Sequence, residues 1–187
     1  MTIASLIAFA GSRRIAQGDA LAVALAVRQT RDHGEAAPIL VFETLTGRPV
    51  DLDLRGTPEE IGIRLAPATP PTQTPRGPGR PRLGVVAREV TLLPRHWDWL
   101  AGQPGGASVM LRKLVNEARH ASEAKDRVRL AREAAYRFMN AMAGNEPHFE
   151  EAIRALFAGE AERFKGLIQD WPADLREHVE TLASDAF

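Results

Sequence analysis

The spacing of apolar residues changes several times along this chain, and each change predicts an element. Ile3 to Ala10 is a nearly unbroken apolar run of strand length, closed by Gly11-Ser12, and predicts a short buried β-strand. Asp19 then precedes an alanine-rich stretch carrying Leu21, Leu25 and Val27, and Gly34 follows it. An aspartate before such a run and a glycine after it predict a capped helix over 20–32. Pro38 to Phe42 and Val50 to Leu54 read as a hairpin turned at Thr46-Gly47, the second arm alternating apolar with acidic residues. Thr57-Pro58-Glu59-Glu60 predicts a helix start, with a threonine cap, proline in the first turn and a glutamate placed to answer the cap.

The pattern then breaks. Residues 66–82 hold six prolines among small polar residues, which can neither pair in a sheet nor continue a helix, so an extended linker is expected. Val85 to Leu93 alternates and reads as a strand; Pro94 opens a short helix through Gly102. Gln103-Pro104-Gly105-Gly106 is a break, after which Val109, Leu111, Leu114, Val115 and Ala118 follow helical spacing. From Ser122 onward the chain reads as helix: one to Ala143, then others after Pro147, Gly159 and Pro172. Leu130, Ala134, Phe138 and Met142 make one stripe, and Phe149, Ile153, Leu156 and Phe157 another. Phe164, Leu167, Ile168, Trp171, Leu175, Val179 and Leu182 resemble the core of a small bundle. Trp97 and Trp99 lie two apart, so one is expected in the core and the other at an interface or beside a base. The fold class is therefore α+β, in four parts: a β-α-β-β-α unit over 1–65, a Pro-rich linker over 66–82, a strand–helix–helix segment over 83–120 and a helical bundle over 121–187.

Composition adds three constraints. With 187 residues and 44% hydrophobic content, the chain can bury a core. It has no cysteine, which excludes disulfides, thiolate metal sites and a cysteine nucleophile and fits a reducing cytoplasm. The apolar run Thr2 to Ala10 has its arginines, Arg13 and Arg14, on the wrong side for a secretory signal and is too short to span a bilayer, so a cytoplasmic protein without membrane association is expected. Net charge is zero, but residues 75–120 carry 8 basic and 3 acidic side chains, between a near-neutral N-terminal part and an acidic C-terminal part. That asymmetry suits a polyanionic partner, and equally suits an acidic tail packed on a basic centre.

The basic segment carries the candidate chemistry. Gly79-Arg80-Pro81-Arg82 resembles an AT-hook, in which extended arginines lie in a narrow minor groove, although Pro78 and a glycine interrupt the usual core. The order strand, proline, short helix, glycine break, longer helix over Arg88 to His120 resembles the ribbon–helix–helix DNA-binding fold. There, Val90-Thr91-Leu92-Leu93-Pro94 would be the strand and its exit, Trp97 and Leu100 the buried face of the first helix, and the amides near Gly106 to Ser108 a phosphate site. The resemblance departs at the strand: of the positions that would face DNA, Leu92, Val90 and Arg88, only the last is polar. The candidate nucleic-acid contacts are Arg76, Arg80, Arg82, Arg88, Arg95, Arg112 and Lys113.

A second resemblance spans nearly the whole chain. Ala8 to Asp19, Val41 to Leu54, Arg80 to Leu100 and the Met142-Ala143-Gly144 break are similar to an uncharacterised bacterial family, domain of unknown function 2239. It implies a bacterial origin and one recurring unit, and no activity. Catalytic motifs are lacking: no two of the five histidines sit four apart, no phosphate-cradling Gly-Lys loop follows a strand, and no serine has a nucleophile-elbow context. His148 with Glu151, and Asp174 with His178, read as charge pairs on helix surfaces. No catalytic residue, metal site or cofactor is expected. The leading expectation is a dimeric DNA-binding or regulatory protein. A protein-interaction module acting through its C-terminal helices stands second, and a small-molecule enzyme third.

Overall fold

Strand β1 (Leu6–Ala10) is the centre of a three-stranded antiparallel sheet, with β2 (Arg13–Gly18) on one side and β3 (Ile39–Glu43) on the other. The computed structural model describes residues 5–66 and 86–187. All five residues of β1 are buried, because both faces of the sheet are covered. Alternation sends Leu6 and Ala8 to one face and Ile7 and Phe9 to the other. The apolar pattern does not predict β2, whose sequence Arg-Arg-Ile-Ala-Gln-Gly is mostly polar. Its pairing with β1 shifts between Ala8 and Phe9, so Ile15 is an extra residue in the ladder.

Helix α1 (Ala20–Asp32) covers the Leu6–Ala8 face with Val23 and Val27. Asp19 caps it as expected, its carboxylate accepting from the Ala22 amide at 2.9 Å. The second hairpin arm is different from expectation. Chain return after β3 makes one bridge, Phe42 to Pro49, and Val50 to Leu54 forms no strand. Val50, Leu52 and Leu54 still pack on the core, so the two-residue period is real. Of the acidic positions between them, Asp53 turns to local partners, holding Arg55 at 2.8 Å and Arg64 at 3.3 Å. Helix α2 (Pro58–Leu65) starts with the predicted capping box, Thr57 accepting from the Glu60 amide and Glu60 accepting from the Thr57 amide.

Beyond residue 85 the chain forms α3 (Pro94–Ala101), α4 (Gly106–Met142), α5 (Phe149–Ala158), α6 (Ala161–Leu167) and α7 (Ala173–Leu182). The C-terminal half of α4 and the three helices after it cover the Ile7–Phe9 face of the sheet. Phe138 sits at the middle of this core, its ring 5.3 Å from Phe9 and 5.0 Å from Phe42. Gly47 is fitted against the same helix: its φ is +60°, and a Cβ there would lie 2.5 Å from the Ala134 carbonyl oxygen. Arg137 also donates to the Thr46 carbonyl.

Two expectations about organisation are corrected here. The helices after residue 121 are not a separate bundle. They share one core with the N-terminal sheet, and residues Met1–Pro67 and Lys125–Phe187 group as one compact unit, with Ala68–Ala124 as the other. The boundary at 120/121 also falls inside α4, which runs unbroken for 37 residues. Ser122 does not start a helix, because nothing from Ala118 to Ala124 can stop one; there is neither glycine nor proline. Within the stripe, Ala134 and Phe138 are buried together with Ala135 and Met139, while Leu130 is exposed.

His178 is a third correction. It does not lie on a surface face with Asp174 but is 3% exposed, edge-on to Phe138 with ring centroids 4.6 Å apart. Its Nε2 has no hydrogen-bond partner among the described residues. Burial, and then the nearby Arg14, push its pKa down to about 4, against a smaller opposing pull from Glu177. Asp174 instead accepts the Arg14 amide at 2.8 Å, and Glu177 takes the Arg14 guanidinium at 2.9 Å.

Candidate nucleic-acid interface

Arg88, Arg95, Arg112 and Lys113 are carried on three kinds of backbone, and all four are exposed. Arg88 lies in Val86 to Leu93, which forms neither strand nor helix within the single chain. The strand predicted from Val85 to Leu93 is therefore absent over its described part, and only a partner strand could create the ribbon that the sequence resemblance implied. Arg95 follows Pro94 in the first turn of α3, where fixed φ and a missing amide suit proline. Arg112 and Lys113 lie two turns into α4, after Gly105 and Gly106, whose φ values of +83° and +74° carry the chain from α3 into α4. Arg76, Arg80 and Arg82 lie outside the described residues, and with them the AT-hook resemblance.

Among the described residues, no carboxylate lies within 4.0 Å of Arg88, Arg95 or Arg112, and Lys113 has only Glu117, at 3.9 Å on an open helix face. Most arginines elsewhere are engaged. Arg13 pairs with Glu35 at 2.8 Å, Arg129 with Glu133 at 2.9 Å, and Arg163 with Glu160 at 2.8 Å. Arg132 and Arg176 donate to backbone carbonyls. Arg31, Arg48 and Arg127 also lack a carboxylate, so the contrast is one of proportion. Spacing along α4 also brings in Arg119, which no motif marks: seven residues after Arg112, it returns to nearly the same side of the helix.

The segment is apolar as well as basic. Of the 16 large hydrophobic side chains exposed among the described residues, 8 lie between Val86 and Val115. They include both tryptophans, Trp97 at 41% and Trp99 at 50%, so neither fills the core place expected for one of them; Leu100 is the buried residue of α3. No group of three or more metal-ligating side chains occurs among the described residues, and no described helix is long and apolar enough to cross a membrane.

A family model described as an uncharacterised protein conserved in bacteria, DUF2239, matches residues 5–183. The chain belongs to that family. The DUF2239 match extends from the first strand to the last helix and includes the central segment. No curated protein and no solved structure matches the chain.

Proposed function

We propose that this DUF2239 protein binds DNA through its central basic segment as part of a regulatory role, and does so as a dimer. Arg76, Arg80, Arg82, Arg88, Arg95, Arg112 and Lys113 supply the contacts to phosphate or groove. One observation carries the reading: the described arginines of this segment are exposed and have no carboxylate partner, whereas most arginines of the other unit are engaged. A cation already locked in an ion pair releases no counterion when it meets a phosphate, whereas an open one does. Dimerisation would give the exposed tryptophans and valines a partner and would let Val86 to Leu93 pair with its twin.

The test is an electrophoretic mobility shift with random and A·T-rich duplexes at two salt concentrations, using wild type and an Arg80→Ala, Arg82→Ala, Arg88→Ala variant. Binding at low salt that weakens steeply with added salt, and fails in the variant, is the expected outcome. No shift by wild type, or equal binding by the variant, removes the proposal. A protein-interaction module is the second reading, favoured by the clustered exposed apolar side chains. A groove that takes a partner helix would lose little affinity with salt, which separates the two readings.

A further inference from the structure

We propose that the cleft between the C-terminal half of α1 and the returning chain at 51–56 binds a small zwitterion, a free amino acid or a short peptide. Arg31 holds its carboxylate and Asp51 its ammonium. The site lies wholly within the larger unit and stands apart from the DNA-binding reading. The cleft measures about 640 Å³, within the range of small-molecule sites. Three arginines and three aspartates line it: Arg28, Arg31, Asp32, Asp51, Asp53 and Arg55.

Ion pairs among these six decide which charges remain. Arg55 is held by Asp53 at 2.8 Å, and Arg28 reaches Asp32, one turn further along α1, at 3.7 Å. Arg31 and Asp51 are left over. Both are exposed, and neither side chain has a hydrogen-bond or ion-pair partner among the described residues. They share one cleft yet stand more than 4.0 Å apart. A ligand that carries both signs answers each of them. A simple anion would meet Asp51 as a like charge, and a simple cation would meet Arg31 in the same way. A second cleft, at Arg13, Gln29 and His33, offers no such pair, since Arg13 and Glu35 bond each other at 2.8 Å.

The walls are fixed before a ligand arrives. Arg28 donates to the Gly56 carbonyl, which ties the returning chain to α1. From α2, Arg64 donates to the carbonyls of Asp53 and Arg55. Leu52 and Leu54 anchor the same stretch in the core. On α1, Arg28 and Arg31 are three apart and so lie on one side of the helix. A site held in this way loses little freedom on binding. Both of its charges stay in contact with water, so affinity in the millimolar range is expected.

Amide proton–nitrogen NMR on the full chain at neutral pH tests the proposal, with glycine, diglycine and triglycine as probes. The amides of Arg31, Asp51 and Gly56 should move, and the tightest probe sets the preferred length. Capping that probe separates the chemistries. Its N-acetyl form lacks the ammonium and its amide form lacks the carboxylate, and each should bind about fivefold more weakly. Arg31→Gln and Asp51→Asn should weaken the uncapped probe by a similar factor. Neither side chain has a partner to lose, so both variants should keep the wild-type circular dichroism. Equal binding of the acetylated probe would assign the cleft to anions, and equal binding of the amide would assign it to cations; either result overturns the zwitterion. No movement with any probe, or binding that survives both substitutions, overturns the site itself.

Discussion

His178 lies where the two parts of the larger unit meet, between Phe9 of the sheet and Phe138 of α4. A neutral ring packs there; a charged one would need a partner, and its Nε2 has none among the described residues. The native value is near 4 against an ordinary 6.5, so below pH 6.5 the unfolded chain takes up a proton that the folded chain refuses. Stability is therefore full above about pH 6.5 and falls as pH drops toward 4, by up to about 3 kcal/mol. Asp53 adds to acid lability at lower pH, because the Arg55 side chain, then the Arg55 amide, hold its carboxyl below the ordinary range. In His178→Phe the fall between pH 6.5 and 4 should largely vanish in urea unfolding midpoints, and an unchanged pH profile would show the ring is not responsible. The sequence contained His178 and its distance from Asp174, but helical spacing cannot say which side of a helix is covered. That was decided by β1, some 170 residues earlier in the chain.

At the scale of elements, the capped helices α1 and α2 were legible because their signals are local: Asp19 before Ala20, and Thr57 with Glu60. Strand β2 was not, since an edge strand with one polar face carries little hydrophobic signal, although Gly11-Ser12 between two β-capable runs marks a hairpin turn. A serine such as Ser122 starts a helix only where the preceding one stops, and Ala118 to Ala124 gives α4 no reason to stop. It leads to a direct check. Were there a break near residue 121, proline at position 122 would be harmless, as in the first turn of any helix. In the continuous α4, Ser122→Pro should cost about 3 kcal/mol of local helix stability and lower ellipticity at 222 nm. The main unfolding transition of the unit containing His178 should barely move.

For the whole molecule, the sequence conveyed an α+β composition and most of the residues that end up buried, including Phe164, Ile168, Trp171, Leu175 and Val179. It did not convey that the first 66 residues and the last 63 bury one another, because the intervening proline run looked like a boundary between independent units. A contact map joins them; a linear pattern cannot. Residues 1–66 expressed alone should therefore lack a cooperative unfolding transition, since Ile7, Phe9 and Phe42 would face water. Adding residues 125–187 as a separate chain should restore it, as read by thermal circular dichroism. A cooperative melt from 1–66 alone would contradict the shared core.

The small sheet also has little edge to offer. On its β2 side the Arg14 amide is taken by the Asp174 carboxylate of α7, and on its β3 side Val41 and Glu43 are bonded to the returning chain at Val50 and Arg48. Those particular groups are engaged within the same polypeptide and are not free to pair with a foreign strand. Strand addition at those positions would first have to displace contacts made by α7 or by the returning chain, which makes edge-to-edge stacking of this sheet costly.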